Sequence, residues 1–156
     1  MTKRIRKKSL SELDRTSLTA LVLSADEKQD LLRGIELFNA HKFWEAHEVW
    51  EGIWQNHPED GRFFIQALIQ LAAAYHQLRR RIYRGFVIHI QRAQEKLELF
   101  PIAFLGIDVE VLRGTIKRTI EFLGANKNLE GTDFSRIEIP QITNLPSQSE
   151  SGWPQP

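Results

Sequence analysis

The 156-residue sequence contains no cysteine. That excludes a disulfide framework, a thiolate metal site and a cysteine nucleophile. It has almost no net charge: 21 Lys and Arg against 20 Asp and Glu leave +1. No overall field therefore draws it to nucleic acid or to a membrane surface, and neither is an expected partner. No apolar run approaches the ~20 residues that span a bilayer. The basic start (Lys3, Arg4, Arg6, Lys7, Lys8) has no apolar core behind it. It does not read as a secretory signal, and a cytoplasmic location is expected. There is no Gly-rich phosphate loop, no strand-pair pattern and no internal repeat of useful length. What is present is 42% hydrophobic and 26% charged residues, an ordinary composition for one domain that can bury a core.

The organisation follows from periodicity and punctuation. Residues 1–23 read as a basic arm running into "SLTALVL", an apolar piece expected to dock on the body. "SADE", Ser24 to Glu27, is a capping box that starts a helix reaching about Ala40, with Leu31, Ile35 and Phe38 on one face. A second helix spans Phe43 to Trp54, broken by Pro58 and Gly61 in "NHPEDG". The third, from about Arg62 to Arg81, is apolar nearly all round, as a central buried helix is. The fourth runs from about Arg84 towards Pro101, and the fifth from an Asp108 cap to Gly124. Residues 24–124 thus form the helical domain. Residues 125–156 hold four of the six prolines and read as an extended or disordered tail, with "RIEI" lying on the body. The expected fold class is all-α, a compact bundle of about five helices with an irregular C-terminal tail.

The chemistry concentrates in "FWEAHEVWEGIW", Phe43 to Trp54, which holds three of the four Trp, three Glu and His47. At about 100° per residue, His47 falls in the apolar arc with Phe43, Ala46, Trp50 and Ile53, and Glu51 lies one turn on. Glu48 falls at the rim and Glu45 points away. On the third helix, Gln66, Gln70 and Gln77 share a narrow strip. Burying an amide without partners costs roughly 1–3 kcal/mol. A polar seam between the second and third helices, made of His47, Glu51, Gln66 and Gln70 and joined by Asn39, would satisfy these groups together. Such a seam either fixes helix register or forms part of a divalent metal site with His47, Glu48, Glu51 and, from the third helix, His76. His with carboxylates suits Zn, Mn or Fe. "HEVWE" lacks the second His of the zincin motif. His89 borders the apolar stripe of the fourth helix and reads as a satisfied core histidine, while His41 and His57 sit at turns and read as solvent-facing. "RRRIYR", Arg79 to Arg84, places cations at a helix end, where they favour the last carbonyls. Trp44, Trp50 and Trp54 read as core or dimer interface.

"LFNAHKFWEAHEVWEGIW", with "FFIQALIQLAAAYHQLRR" and "LGIDVEVL", resembles the domain-of-unknown-function family numbered 309, over about Leu31 to Leu123. The resemblance implies a small helical protein, and some members are labelled predicted metal-dependent hydrolases. Carried over position by position, the motif touches Asn39, Glu45, His47, Glu48, Glu51, Gln70 and His76. The chain departs from it at His41, where Gly is common and a less tight turn is implied. It departs again at Ala67, also commonly Gly, and at Ile82, commonly Asn.

Two functions are therefore carried forward. One is a non-catalytic binding or self-associating module, expected as a homodimer, whose polar motif is architectural. The other is a metal-dependent hydrolase, with an ion at His47 and Glu48 or Glu51 and the remaining Glu as base.

Overall fold

Ser24 opens the first helix as its letters predict. Its hydroxyl accepts from the Glu27 N–H at 3.1 Å, and Glu27 Oε1 accepts from the Ser24 N–H at 3.0 Å. The computed structural model describes residues 21–125 and 129–145. The expected basic arm up to residue 20 and the tail from residue 146 lie outside them. Leu21 and Leu23, the end of "SLTALVL", are buried against the body.

Five helices follow: α1 (Ala25–Asn39), α2 (Phe43–Trp54), α3 (Arg62–Arg79), α4 (Tyr83–Leu97) and α5 (Val109–Ala125). The all-α bundle is the architecture expected from the sequence. Two of the connections are the same device. After α1, the Lys42 N–H reaches the Leu37 carbonyl at 2.8 Å and the His41 N–H reaches Phe38 at 2.9 Å. After α3, Ile82 N–H reaches Gln77 at 2.9 Å and Arg81 N–H reaches Leu78 at 3.0 Å. Both are complete Schellman motifs. Both place a non-glycine residue in the left-handed region, His41 at φ 61° and Arg81 at φ 62°. The expected loosening of the turn at His41 therefore does not occur. The motif's hydrogen bonds hold His41 in a conformation that glycine adopts at lower cost. α5 begins at its predicted cap, Asp108, whose Oδ1 accepts from the Val111 N–H at 3.1 Å.

Successive helices pack on one another through α4, and α5 closes on α4. α3 lies at the centre, with residues from Phe63 to Tyr75 buried on nearly every side. The Phe38 ring meets Phe43, Trp50 and Tyr75. Trp50 is fully buried, and its Nε1 donates to the Leu31 carbonyl at 3.3 Å. This brings the indole onto the backbone of Gly34, where a Cβ would collide with it. Gly34 thus sets how closely α2 approaches α1.

One small element departs from the sequence expectation. β1 (Ala103–Phe104) and β2 (Ile107–Asp108) form an antiparallel pair, with Ala103 opposite Asp108 and Phe104 opposite Ile107. Leu105 at φ 51° and Gly106 at φ 75° make the two-residue turn. Hairpin turns of this kind announce themselves with Asn-Gly or Asp-Gly, and a leucine in the first place hides the signal. The tail segment adds to this hairpin: Asp108 N–H bonds Thr143 at 2.9 Å, and Leu145 N–H bonds Gly106 at 2.8 Å. Irregular but packed, the segment buries Phe134 and Ile142 and rests Ile137 and Ile139 of "RIEI" against the core. No helix among the described residues is long and apolar enough to cross a membrane.

Candidate metal centre

α2 begins at Phe43 and buries Phe43, Ala46, Trp50 and Ile53. His47 lies at the margin of that stripe, its side chain 17% exposed. Glu48, the next residue, and Glu51, one turn on, are 58% and 42% exposed. The backbone thus brings one imidazole and two carboxylates to the same edge of one helix. His47 Nδ1 is 3.6 Å from Glu48 Oε1 and 3.6 Å from Glu51 Oε2. Those distances exceed a hydrogen bond, and this buried nitrogen has no hydrogen-bond partner.

Among the described residues, His47, Glu48 and Glu51 are the one group of three with ligand atoms all within 4.8 Å of one another. Two carboxylates so close repel each other, and a cation between them removes that repulsion. The orphaned His47 Nδ1 adds a nitrogen facing both. This set fits a divalent ion taking nitrogen and oxygen ligands, such as Zn, Mn or Fe.

The remaining predicted residues fall around this edge or away from it. The Trp44 indole, 49% exposed, stacks on His47 with ring centroids 4.8 Å apart. The same indole meets His76 at 5.4 Å, so His76 abuts the site through Trp44 and is not in the ligand group. On α4, the buried His89 Nδ1 has no hydrogen-bond partner, so this is not the satisfied core histidine expected. Burial holds its pKa below the ordinary value, helped by the charges of Arg92 and His47. Glu45 is exposed on the outer face, as its wheel position requires.

The seam between α2 and α3 does not form as drawn. Gln70 Oε1 accepts from Lys96 Nζ of α4 at 2.9 Å. Gln77 lies beside Gly85, also on α4. Gln70 and Gln77 thus face α4 rather than His47 and Glu51 on α2, and Gln66, one turn before Gln70, is half-buried. Asn39 is also elsewhere, donating to the Ile142 carbonyl at 3.0 Å and accepting from the Ile142 N–H at 2.9 Å. A wheel gives the direction of a side chain from its own axis, but not which neighbour stands in that direction.

His57, expected to face solvent, is only 8% exposed. Its Nε2 lies 2.8 Å from Glu27 Oε2 and its Nδ1 3.1 Å from Glu59 Oε2. Burial raises the Glu27 carboxyl, but the hydrogen bonds from Ser24 and His57 outweigh it and hold the group below its usual pKa. Asp60 and Arg62 of the same stretch are also buried, and the Arg62 guanidinium lies over the Phe63 ring. "NHPEDGR" reads as a solvated turn because every signal in it is a turn signal. The buried Lys96 was equally hidden, although it stands three residues after Ala93 on the apolar stripe of α4.

The family described as domain of unknown function (DUF309) matches residues 31–89, from Leu31 of α1 to His89 of α4. It is the family that the sequence resembles. No curated protein matches the chain.

Proposed function

We propose, from a chain whose residues 31–89 match the DUF309 family, that this helical domain is a non-catalytic module that binds a divalent cation at the edge of α2. His47 Nδ1, Glu48 and Glu51 are the ligands. The observation that carries the reading is the buried His47 nitrogen, without a hydrogen bond and 3.6 Å from each of two carboxylates. Trp44 lies flat on the imidazole and fixes its plane, the service that a supporting shell performs for a metal ligand. Self-association belongs to the same proposal, with the exposed Trp44 and Ile88 as apolar surface available to a second copy. A cytoplasmic location also remains part of it.

The hydrolase reading has one observation in its favour. Glu48 and Glu51 are substantially exposed, so water reaches the ligand group. Three protein ligands with an open position are what a catalytic ion requires, and a bound ion supplies Lewis acidity and a more acidic water. Under that reading, His47 and one Glu hold the ion and the other Glu takes the proton, so the third protein ligand has to come from outside this group.

Calorimetric titration of Zn and Mn into the chelator-treated, untagged full chain tests the proposal. One ion per chain is expected, with Glu51→Gln weakening it at least about tenfold, the scale of a lost ligand or its support. No saturable binding of either ion overturns it. Metal-dependent cleavage of a p-nitrophenyl ester, abolished by Glu48→Gln with the ion still bound, would favour hydrolysis over the non-catalytic module.

A further inference from the structure

The basic cluster of Arg79 to Arg84 has no part in the metal centre. Arg79 and Arg81 line a cleft of about 470 Å3 between the α3–α4 turn and the segment 132–139. That volume is in the range of small-molecule sites.

The lining is divided by chemistry. Tyr83 and Phe134 stack face to face with centroids 3.9 Å apart and planes 5° apart, so the paired rings form one aromatic block on the lining, with Phe134 the more buried of the two. Leu78, Ile137 and Ile139, all half-buried, extend the apolar part. The charged part holds two cations and one anion. Arg79 Nη1 donates to the His41 carbonyl at 3.1 Å, which steadies its side chain across the α1–α2 turn. The anion, Asp133, is engaged locally. Its carboxylate accepts from the hydroxyl and N–H of Ser135, and these bonds hold its pKa below the ordinary value. Arg79 and Arg81 against Asp133 leave one positive charge in the lining.

Arg81 stands at φ 62°, the position in a Schellman motif that glycine fills at least cost. His41 and Leu105 share that strain, so strain alone does not single Arg81 out. Its place in the cleft does: here the backbone cost accompanies a guanidinium beside an aromatic block.

We infer that this cleft binds a small organic anion with an apolar body. The body lies along the Tyr83–Phe134 block and the Leu78, Ile137 and Ile139 side chains, and the anionic head pairs with Arg81 and Arg79. A medium-chain carboxylate is the simplest such ligand. Guanidinium pairs with carboxylates through parallel, charge-assisted hydrogen bonds, which give the cleft its preference for charge.

Octanoate titrated into the full chain, followed by two-dimensional amide NMR, tests this. Saturable shifts are expected in residues 79–83 and 132–137. Octanol lacks the charge and acetate lacks the body, and each should bind at least about tenfold more weakly. Arg81→Gly relieves the backbone, so the variant should melt no lower than the parent yet bind octanoate roughly tenfold more weakly. Arg84→Ala, outside the lining, should keep the parent affinity. Absence of saturable shifts, equal binding of octanol, or parent affinity in Arg81→Gly would each overturn the inference.

Discussion

At the scale of single residues, small groups decide more than the conspicuous ones. Gly34 and Gly52 sit in adjacent helices with opposite surroundings. A Cβ at Gly34 meets the buried Trp50 indole, whereas a Cβ at Gly52 meets nothing within 4 Å. Gly34→Ala should therefore cost about 1–3 kcal/mol through overpacking. Gly52→Ala should gain roughly 0.5–1 kcal/mol from helix propensity. Urea melts of the two variants check the pair, and equal effects would contradict the packing described. Glu27 carries a pH prediction. Its pKa is depressed in the folded chain, so it contributes stability above the unfolded carboxylate value, roughly pH 4.3, and loses that contribution as pH falls through the lower folded value. Melting temperature should decline over that acidic window, and the decline should be shallower in Glu27→Gln. An equally steep decline in the variant would show that the Ser24–Glu27–His57 bonds are not what is titrating.

At the scale of elements, what was legible in the sequence is what is local. The Ser24–Glu27 box and the Asp108 cap act within one turn, so their letters predict their bonds. The apolar stripes of α1, α2 and α4 state which faces are buried. Illegible were the features that depend on a neighbour's identity: Gln70 meeting Lys96, His57 reaching back to Glu27, and Asn39 meeting Ile142. The candidate metal centre is intermediate. His47, Glu48 and Glu51 converge because they lie on one helix, which the sequence states. That Gln70 and Asn39 do not join them follows from helix packing, which it does not. The Asn39 clamp makes a testable link between α1 and the C-terminal segment. Asn39→Ala removes both bonds to Ile142 and should cost about 1–3 kcal/mol. Hydrogen exchange should speed up at the amides of Asp108 and Leu145, which hold the segment to the hairpin, with the α3 amides little changed. Unaltered protection at those two amides would mean that the segment is held by Phe134 and Ile142 packing alone.

At the scale of the whole molecule, a buried central helix carries little chemistry of its own, and the distinctive groups stand at the edges of the bundle. The α2 edge presents carboxylates and an imidazole; the α3–α4 turn presents arginines. A chain with a net charge of only +1 thus carries local fields of opposite sign. Self-association should appear in light scattering at micromolar concentration as twice the chain mass, and a clean monomer would set that part of the proposal aside. The central claim is the cation at α2, and elemental analysis of the untagged full chain, exposed to Zn and Mn and then dialysed, tests it most directly. The account predicts one equivalent of metal per chain in the parent and a loss of most of it in His47→Ala, with both proteins folded by circular dichroism. A folded parent that carries no metal, or a His47→Ala variant that carries as much as the parent, would contradict it.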